Sequence, residues 1–159
     1  MADGGRDGGE APQPNPLALD HQLCFSVYSA ANLMTRLYRP LLQPLGLTYL
    51  QYLAMLALWE RSPQSVGELG QRLGLDSGTL TPLFKRMQDA GHLTRTRDPA
   101  DERRVIIQLT ESGRRLRDRA LPVPTAVFCK LPGSLEELTT LKASIDRLVE
   151  SLRDEPGTS

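Results

Sequence analysis

Apolar residues recur at helical spacing along most of the chain, and the longest such segment runs from Asp20 to Leu42. Its apolar stripe advances by alternating steps of four and three residues, near the 3.5 repeat of packed helix pairs. The stripe consists of Leu23, Val27, Ala30, Met34, Leu37 and Leu41. Asp20 is a suitable N-cap, and Pro40 and Pro44 are expected to close this helix.

Polar residues suited to capping mark the starts of the later helices. Three pairs have capping-box spacing, and two further residues stand where single N-caps belong. They are Thr48 with Gln51, Ser65 with Glu68, Ser134 with Glu137, and the single caps Asp76 and Thr110. Gly74 and Gly91 are expected to end the helices before them. The last helix carries one apolar stripe, formed by Leu138, Leu141, Ile145, Leu148 and Leu152.

The hydrophobic period changes after Gly91. LTRTR and RVIIQL are short and rich in β-branched residues, and the polar turn DPADER joins them, so the sequence predicts a two-stranded hairpin. The fold class is therefore mainly α with a small β-hairpin. A short helix, a tight turn, a helix from Ser77 and then a basic hairpin are typical of a winged helix-turn-helix.

The second helix of this motif has an apolar face, formed by Leu80, Leu83, Phe84 and Met87, and an opposite face rich in hydroxyls and cations. Short hydroxyls allow close approach to base edges, and long cations bind guanine or phosphate oxygens. Pro82 is expected to bend this helix or loosen its start. The candidate DNA-binding residues are Ser77, Thr79, Thr81, Pro82, Lys85 and Arg86, with Arg103 and Arg104 at the hairpin turn placed for a minor groove or its phosphates.

Charge supports this interpretation only locally. The 159-residue chain has a formal net charge of zero, but Lys85 to Arg119 contains ten Lys/Arg against six Asp/Glu. The alternative is a helical hairpin in a protein-binding module whose arginines are simply solvated. The acidic, Gly/Pro-rich N-terminus is unlike a signal peptide, and no apolar run reaches the length of a membrane span. We expect a cytoplasmic protein without membrane contact.

LGLDSGTLTPLFKRMQDAGHLTRTRDPADERRVIIQLTESG resembles the MarR family of bacterial transcription regulators, with DERRVIIQLT matching the family's wing. LCFSVYSA and LYRPLLQPLGLTYLQYLAML resemble the organic-hydroperoxide-sensing branch, the OhrR repressors, of the two-cysteine type. The resemblance implies a homodimer, a pseudo-palindromic double-stranded operator and repression relieved by oxidation, with no cofactor and no enzymatic activity. It also implies a single MarR-type domain over 17–153, with a winged lobe over 48–110, dimerisation helices over 17–47 and 111–153, and flexible tails over 1–16 and 154–159.

The resemblance places the peroxide-reactive cysteine at Cys24, two tyrosines that bind its sulfur at Tyr38 and Tyr49, and a resolving cysteine at Cys129. Tyr38 lies 14 residues beyond Cys24 on one expected helix, or roughly 21 Å at 1.5 Å per residue, so the two cannot meet within a subunit. A partner chain would have to supply Tyr38. Cys129 falls in PTAVFCKLPG, which is expected to be a loosely structured, mobile stretch.

Two other functions are alternatives to a regulator that is induced by organic hydroperoxide. Either cysteine is alternatively a small buried hydrophobe, and the regulator would then respond to a reversibly bound aromatic or acidic ligand. A thiol peroxidase is a third hypothesis, against which stand the absence of C-x-x-C and of a basic residue one turn from Cys24. Tyr28, Tyr52 and Trp59 are assigned to the core or a pocket wall. His21 and His92 have no other metal-ligating residue at a suitable spacing, and we assign them no role.

Overall fold

Local capping sets the start of most helices, as the sequence predicted. In all three capping boxes the hydroxyl accepts a hydrogen bond from the N3 amide, and the N3 side chain accepts one from the N-cap amide. The boxes at Thr48, Ser65 and Ser134 are thus confirmed. Thr110 is confirmed as well, because its Oγ1 accepts from the Gly113 amide at 3.0 Å.

The computed structural model describes residues 15–155, so most of the two expected tails lies outside the described residues. The helices are α1 (Leu23–Leu42), α2 (Tyr49–Glu60), α3 (Val66–Leu73), α4 (Ser77–Asp89), α5 (Glu111–Ala120), α6 (Val123–Phe128) and α7 (Leu135–Asp154). The strands are β1 (Gln64–Ser65), β2 (Leu93–Asp98) and β3 (Asp101–Leu109). The chain divides after Ala120 into two compact units.

The start and end of α1 differ from the expectation. Asp20 lies in a separate 3-10 turn, Leu19–His21, and the N-cap of α1 is Gln22, so the predicted cap is wrong. The Gln22 side chain instead donates to the carbonyls of Pro16 and Ala18, at 2.7 and 3.1 Å. Pro40 does not close the helix but lies inside its last turn. There it removes one backbone amide donor, and the Gln43 amide still donates to the Arg39 carbonyl.

The first unit builds its core from α2, α3, α4 and a three-stranded antiparallel sheet of order β1-β3-β2. The two-residue strand β1 was not predicted, since its pairing with Ile106 and Ile107 is purely tertiary. The predicted apolar face of α4 is confirmed as core. Other side chains with 2% exposure or less are Leu42, Tyr52, Ala54, Met55, Leu58, Leu69, Leu93 and Ile107. Tyr52 is thus core, as expected, whereas Tyr28 is 66% exposed and its assignment to the core is wrong for the single chain.

The helix α4 begins firmly, contrary to the loose start suggested by Pro82. Oδ1 of the predicted cap, Asp76, accepts from the Thr79 amide at 2.8 Å, and the Leu80 amide bonds the Asp76 carbonyl at 3.1 Å. Pro82 lies inside the helix, which continues to Asp89. Gly91 follows with φ of +77°, a conformation that favours glycine and confirms the predicted stop.

The hairpin is longer than predicted. The strands β2 and β3 continue through most of DPADER, so that Pro99 and Ala100 alone separate them. Arg103 and Arg104 therefore lie within β3 and not in the turn, because cross-strand pairing extends as far as Asp98 with Asp101. Both side chains therefore project from a paired strand of the wing.

The segment around Cys129 is more ordered than expected. It forms the short helix α6, with prolines at its N-cap and second position, where a missing amide costs little. Cys129 is the C-cap residue, and its amide donates to the Thr125 carbonyl at 3.0 Å. The prediction of a loosely structured stretch is therefore wrong for residues 124–128, which are helical, whereas 129–133 form turns and bends.

The two terminal helices leave apolar side chains exposed. On α1, Leu23 is 66% and Leu33 is 61% exposed. The helix α7 contains no buried residue, and Leu141 and Ile145 of its stripe are 55% and 47% exposed. Among residues 15–155 no single helix is long and apolar enough to cross a membrane. One pair of helices, Leu23–Leu45 and Tyr49–Glu60, is long and apolar enough when the two are taken together, but they are bent by 69° relative to each other.

Candidate DNA interface and redox site

The outward face of α4 presents the residue types that the sequence predicted for DNA contact. Ser77, Thr81, Pro82, Lys85 and Arg86 are all exposed. The Thr81 hydroxyl donates to the Ser77 carbonyl at 2.7 Å, which leaves its oxygen lone pairs able to accept. This face is therefore a surface of hydroxyls and cations on a helix whose other side is firmly packed.

Thr79 differs from these residues. It is half-buried, and its hydroxyl donates to Oδ2 of Asp76 at 3.0 Å while its amide bonds Oδ1. These two hydrogen bonds contribute most to lowering the pKa of the Asp76 carboxyl. The structure thus gives Thr79 a capping function at the start of α4, and contact between its side chain and DNA stays a prediction.

The two wing arginines named from the sequence have different surroundings. The Arg103 side chain is 93% exposed, and its Nε lies 3.2 Å from Asp101. The Arg104 side chain is 51% exposed and lies between two carboxylates, 3.7 Å from Asp98 and 4.0 Å from Glu68. Arg103 is the more accessible of the two, whereas Arg104 ties the wing to α3.

Two further arginines, Arg95 and Arg97 on β2, were missed. Nε of Arg95 donates to Oε1 of Gln88 at 2.9 Å, and its Nη1 lies 3.4 Å from the Thr81 carbonyl, so it connects the wing to α4. Arg97 donates to the Glu102 carbonyl at 3.1 Å. The alternation in LTRTR could have found them, since residues 93, 95 and 97 share one side of a strand.

The two tyrosines predicted to bind the sensing sulfur lie together in the structure. The rings of Tyr38 and Tyr49 are 4.9 Å apart between centroids, and Tyr52 lies 5.7 Å from Tyr38. Trp59 extends the cluster, in edge contact with Tyr52 at 6.4 Å.

The phenols of this tyrosine cluster are held in the protonated form. Burial raises the pKa of Tyr38 above its usual value, and the neighbouring Tyr49 raises it further. Burial also raises the pKa of Tyr49 and of Tyr52. A neutral phenol keeps its proton and donates a hydrogen bond, which is what stabilising an anion requires.

The first cysteine lies at the other end of the same helix as Tyr38. Cys24 is the second residue of α1, is exposed, and carries a free thiol. Because α1 runs unbroken to Leu42, the roughly 21 Å separation expected for 14 helical residues holds. The structure brings Tyr38 and Tyr49 together but does not bring Cys24 to them within one chain.

The second cysteine, Cys129, belongs to the other compact unit. It is exposed and free at the end of α6. Both thiols are thus accessible, and the alternative that either is a buried apolar filler does not fit the single chain.

Comparison with known proteins decides the family. A family model described as transcriptional regulator SarA/Rot matches residues 36–120. The organic hydroperoxide resistance transcriptional regulator of Bacillus subtilis is 45% identical over 136 residues, which cover 86% of this chain and 92% of that protein. The chain belongs to the MarR family of transcriptional regulators. Within it, the predicted resemblance to the organic hydroperoxide branch is confirmed.

Solved structures support the same assignment for this MarR-family chain. Reduced AbfR bound to DNA matches with a TM-score of 0.75 and 36% identity, covering 85% of this chain and 92% of AbfR. AbfR with a formed disulfide matches with a TM-score of 0.60 and 35% identity, over 86% and 93%. A mutant of E. coli MarR, complexed with operator DNA, has a TM-score of 0.73 at 23% identity over 79% and 92%, which shows a shared fold.

The MarR-family assignment confirms the winged helix-turn-helix fold and a DNA-binding regulator as the class of protein. The relatives are regulators and not enzymes, so the thiol peroxidase hypothesis is set aside.

Proposed function

We propose that this regulator represses transcription as a homodimer on a pseudo-palindromic operator and is released when organic hydroperoxide oxidises Cys24. The observation that carries the proposal is the 45% identity, over most of both chains, to an organic hydroperoxide resistance regulator, together with an exposed Cys24 thiol. The DNA contacts we assign are those predicted on α4 and the wing: Ser77, Thr79, Thr81, Pro82, Lys85, Arg86, Arg103 and Arg104.

The exposed apolar side chains of α1 and α7 support a homodimer. A helix with an uncovered apolar stripe lacks most of the packing that stabilises helices in proteins. A second copy of the chain supplies the matching surface, and two-fold protein symmetry then requires two related DNA half-sites. We assign the regions 17–47 and 111–153 to this dimerisation and 48–110 to DNA reading.

The sensing reaction begins with a thiolate at Cys24. Its sulfur attacks one peroxide oxygen, the O–O bond breaks, and the alcohol leaves after taking a proton, so sulfur is oxidised to a sulfenic acid and the peroxide is reduced. We assign the protonated phenols of the tyrosine cluster as the hydrogen-bond donors to this sulfur. Those phenols act on the Cys24 of the partner subunit, since α1 separates them within one chain.

The second step captures the sulfenic acid. The Cys129 thiol attacks the Cys24 sulfur, a disulfide forms and water leaves, which protects Cys24 from further oxidation. The existence of a disulfide-formed structure of AbfR supports such a step in this family. A new covalent bond at the dimer interface would change the distance between the α4 helices of the two subunits and so weaken binding to a fixed pair of half-sites.

A mobility shift on an inverted-repeat duplex selected from a random pool tests the proposal. Reduced protein should bind, binding should be lost after a small excess of cumene hydroperoxide, and a thiol reductant should restore it. Cys24→Ser should bind DNA normally and ignore peroxide, whereas Cys129→Ser should form the sulfenic acid but no disulfide.

Release of DNA from Cys24→Ser by peroxide would contradict the proposal. If wild-type binding is indifferent to peroxide and reductant, the sensor is instead a reversibly bound aromatic or acidic ligand, and titration with candidate ligands would show it.

A further inference from the structure

The cations of the proposed DNA-binding surface, which comprises α4 and the wing strands β2 and β3, differ in whether a carboxylate already pairs with them. Arg103 and Arg104 each lie within 4.0 Å of one or more carboxylates. Among the ion pairs of the described residues, 15–155, neither Lys85 nor Arg95 takes part in one. A cation without a carboxylate partner binds an external anion more readily, because no existing ion pair must first be broken.

Hydrogen bonds place the Arg95 side chain on the same face of α4 as Lys85. Thr81, Lys85 and Gln88 occupy positions i, i+4 and i+7 of α4, which share one face of a helix. Arg95 reaches from β2 to both ends of that row, with one hydrogen bond to Gln88 and one to the Thr81 carbonyl. Its guanidinium therefore crosses the helix face beside Lys85.

The Arg95 guanidinium is also held in a fixed orientation. Its Nε is bonded to Gln88 at 2.9 Å and its Nη1 to Thr81 at 3.4 Å, and neither bond uses Nη2. A guanidinium oriented in advance loses less side-chain entropy when it binds an anion than a free arginine does.

We propose that Lys85 and Arg95 together bind a phosphate of the DNA backbone where α4 meets the wing, with Gln88 as the residue that positions the guanidinium. The inference rests on the proposed DNA-binding function and adds Arg95 to it. Recognition helices contact base edges mainly through their N-terminal residues, whereas Lys85 lies in the C-terminal half of α4 and Arg95 lies on the strand β2. A backbone phosphate is therefore the anion it meets.

Salt dependence measures phosphate contacts directly. Operator affinity would be measured by fluorescence anisotropy between about 50 and 200 mM KCl for the reduced full-length wild type and for Arg95→Gln. Each lost phosphate contact lowers the magnitude of the log–log salt slope by about 0.9, hence by about 1.8 for a dimer with two half-sites. The affinity of the variant should fall about tenfold less than that of the wild type over this salt range.

Controls separate this inference from the proposed function. Arg115→Gln removes one arginine paired with Glu111 on α5 and should leave the slope unchanged. Gln88→Ala should weaken affinity a fewfold at an unchanged slope, because it loosens Arg95 without removing its charge. Arg95→Gln should weaken binding to the operator and to an unrelated duplex by similar factors, as phosphate contacts do.

A wild-type slope in Arg95→Gln, or a loss confined to the operator duplex, would overturn the phosphate assignment while the regulator still binds DNA. Failure of the reduced wild-type protein to bind any duplex would instead overturn the proposed function. Loss of folding in Arg95→Gln is detected separately by its circular dichroism, and Arg95→Lys, which keeps the charge, should then retain the wild-type slope.

Discussion

The helices α4 and α7 carry similar apolar stripes but differ in burial. In α4, Leu80 and Phe84 are fully buried within the first unit of the chain. In α7, Leu141 and Ile145 remain half-exposed. An apolar stripe that is uncovered in one chain needs a partner from outside it, while a buried stripe does not. Under the proposed function, the DNA-binding surface on α4 and the wing therefore forms within a single chain, whereas the sensing and dimerisation surfaces become complete only in an assembly.

The largest effect should come from a charge placed in the α7 stripe. Ile145→Asp buries a carboxylate in the proposed interface, so the dimer should dissociate, as measured by analytical ultracentrifugation. Operator affinity should fall by a factor on the order of 100 or more, because two linked half-sites bind far more tightly than one. Ala143→Asp, on the opposite face of α7, should leave both properties unchanged. A dimeric Ile145→Asp protein with normal affinity would remove α7 from the interface.

The sensing site can be tested for completion by a second chain with mixed dimers. One protomer carries Cys24→Ser and the other carries Tyr38→Phe. If Tyr38 serves the partner's Cys24, the remaining Cys24 keeps an intact Tyr38 and should react with cumene hydroperoxide at the wild-type rate per thiol.

The matched Tyr38→Phe homodimer should react roughly tenfold or more slowly, because a hydrogen bond to a charged group is worth about 1.5–3 kcal/mol. Stopped-flow measurement of thiol loss gives both rates. Equally slow reaction in the mixed dimer would place the Tyr38 contact within one chain, or show that it is not made.

Local chemistry was predictable from the sequence, whereas long-range pairing was less so. Capping boxes depend on residues three apart, so Thr48, Ser65 and Ser134 were identified directly. The strand β1 and the full length of the wing depend on cross-strand pairing, and the order around Cys129 depends on a short helix that its prolines tolerate.

The candidate site follows the same rule. The outward face of α4 was predictable from its helical period, and strand alternation could have found Arg95. The contact of Arg95 with Gln88 on α4, however, depends on tertiary structure. Tyr38 and Tyr49 were located by resemblance alone, since no spacing rule joins residues on either side of the turn between α1 and α2. Their rings lie 4.9 Å apart, and their contact with the sulfur of Cys24 stays a prediction.

In α5, tight packing against the residue before β2 should make Gly113 sensitive to substitution. A Cβ at Gly113 would lie 2.0 Å from the carbonyl oxygen of His92, which also accepts the Thr110 amide. Gly113→Ala should therefore lower the free energy of unfolding by about 1–3 kcal/mol in urea titrations. Gly67→Ala in α3 is the matched control, because its nearest contact is 4.0 Å away and alanine favours helix by about 0.5–1 kcal/mol. Equal stability of the two variants would show that α5 moves freely away from β2.

The smallest effect concerns Glu68, which joins α3 to Arg61 and to Arg104 of the wing. Hydrogen bonds from Ser65 contribute most to lowering the pKa of Glu68, and Arg61 and Arg104 lower it further. A carboxyl whose folded pKa is depressed stabilises the protein above its unfolded pKa, and this contribution is lost as pH falls through the folded value.

Thermal melts of the wild type and Glu68→Gln test this. Glutamine retains the capping box but not the charge, so the wild type should melt slightly higher at pH 7. The difference should shrink as the pH falls below the ordinary glutamate pKa and vanish once Glu68 is protonated in the folded state. A difference that persists unchanged to pH 3 would mean that shape, and not charge, connects Glu68 to the wing.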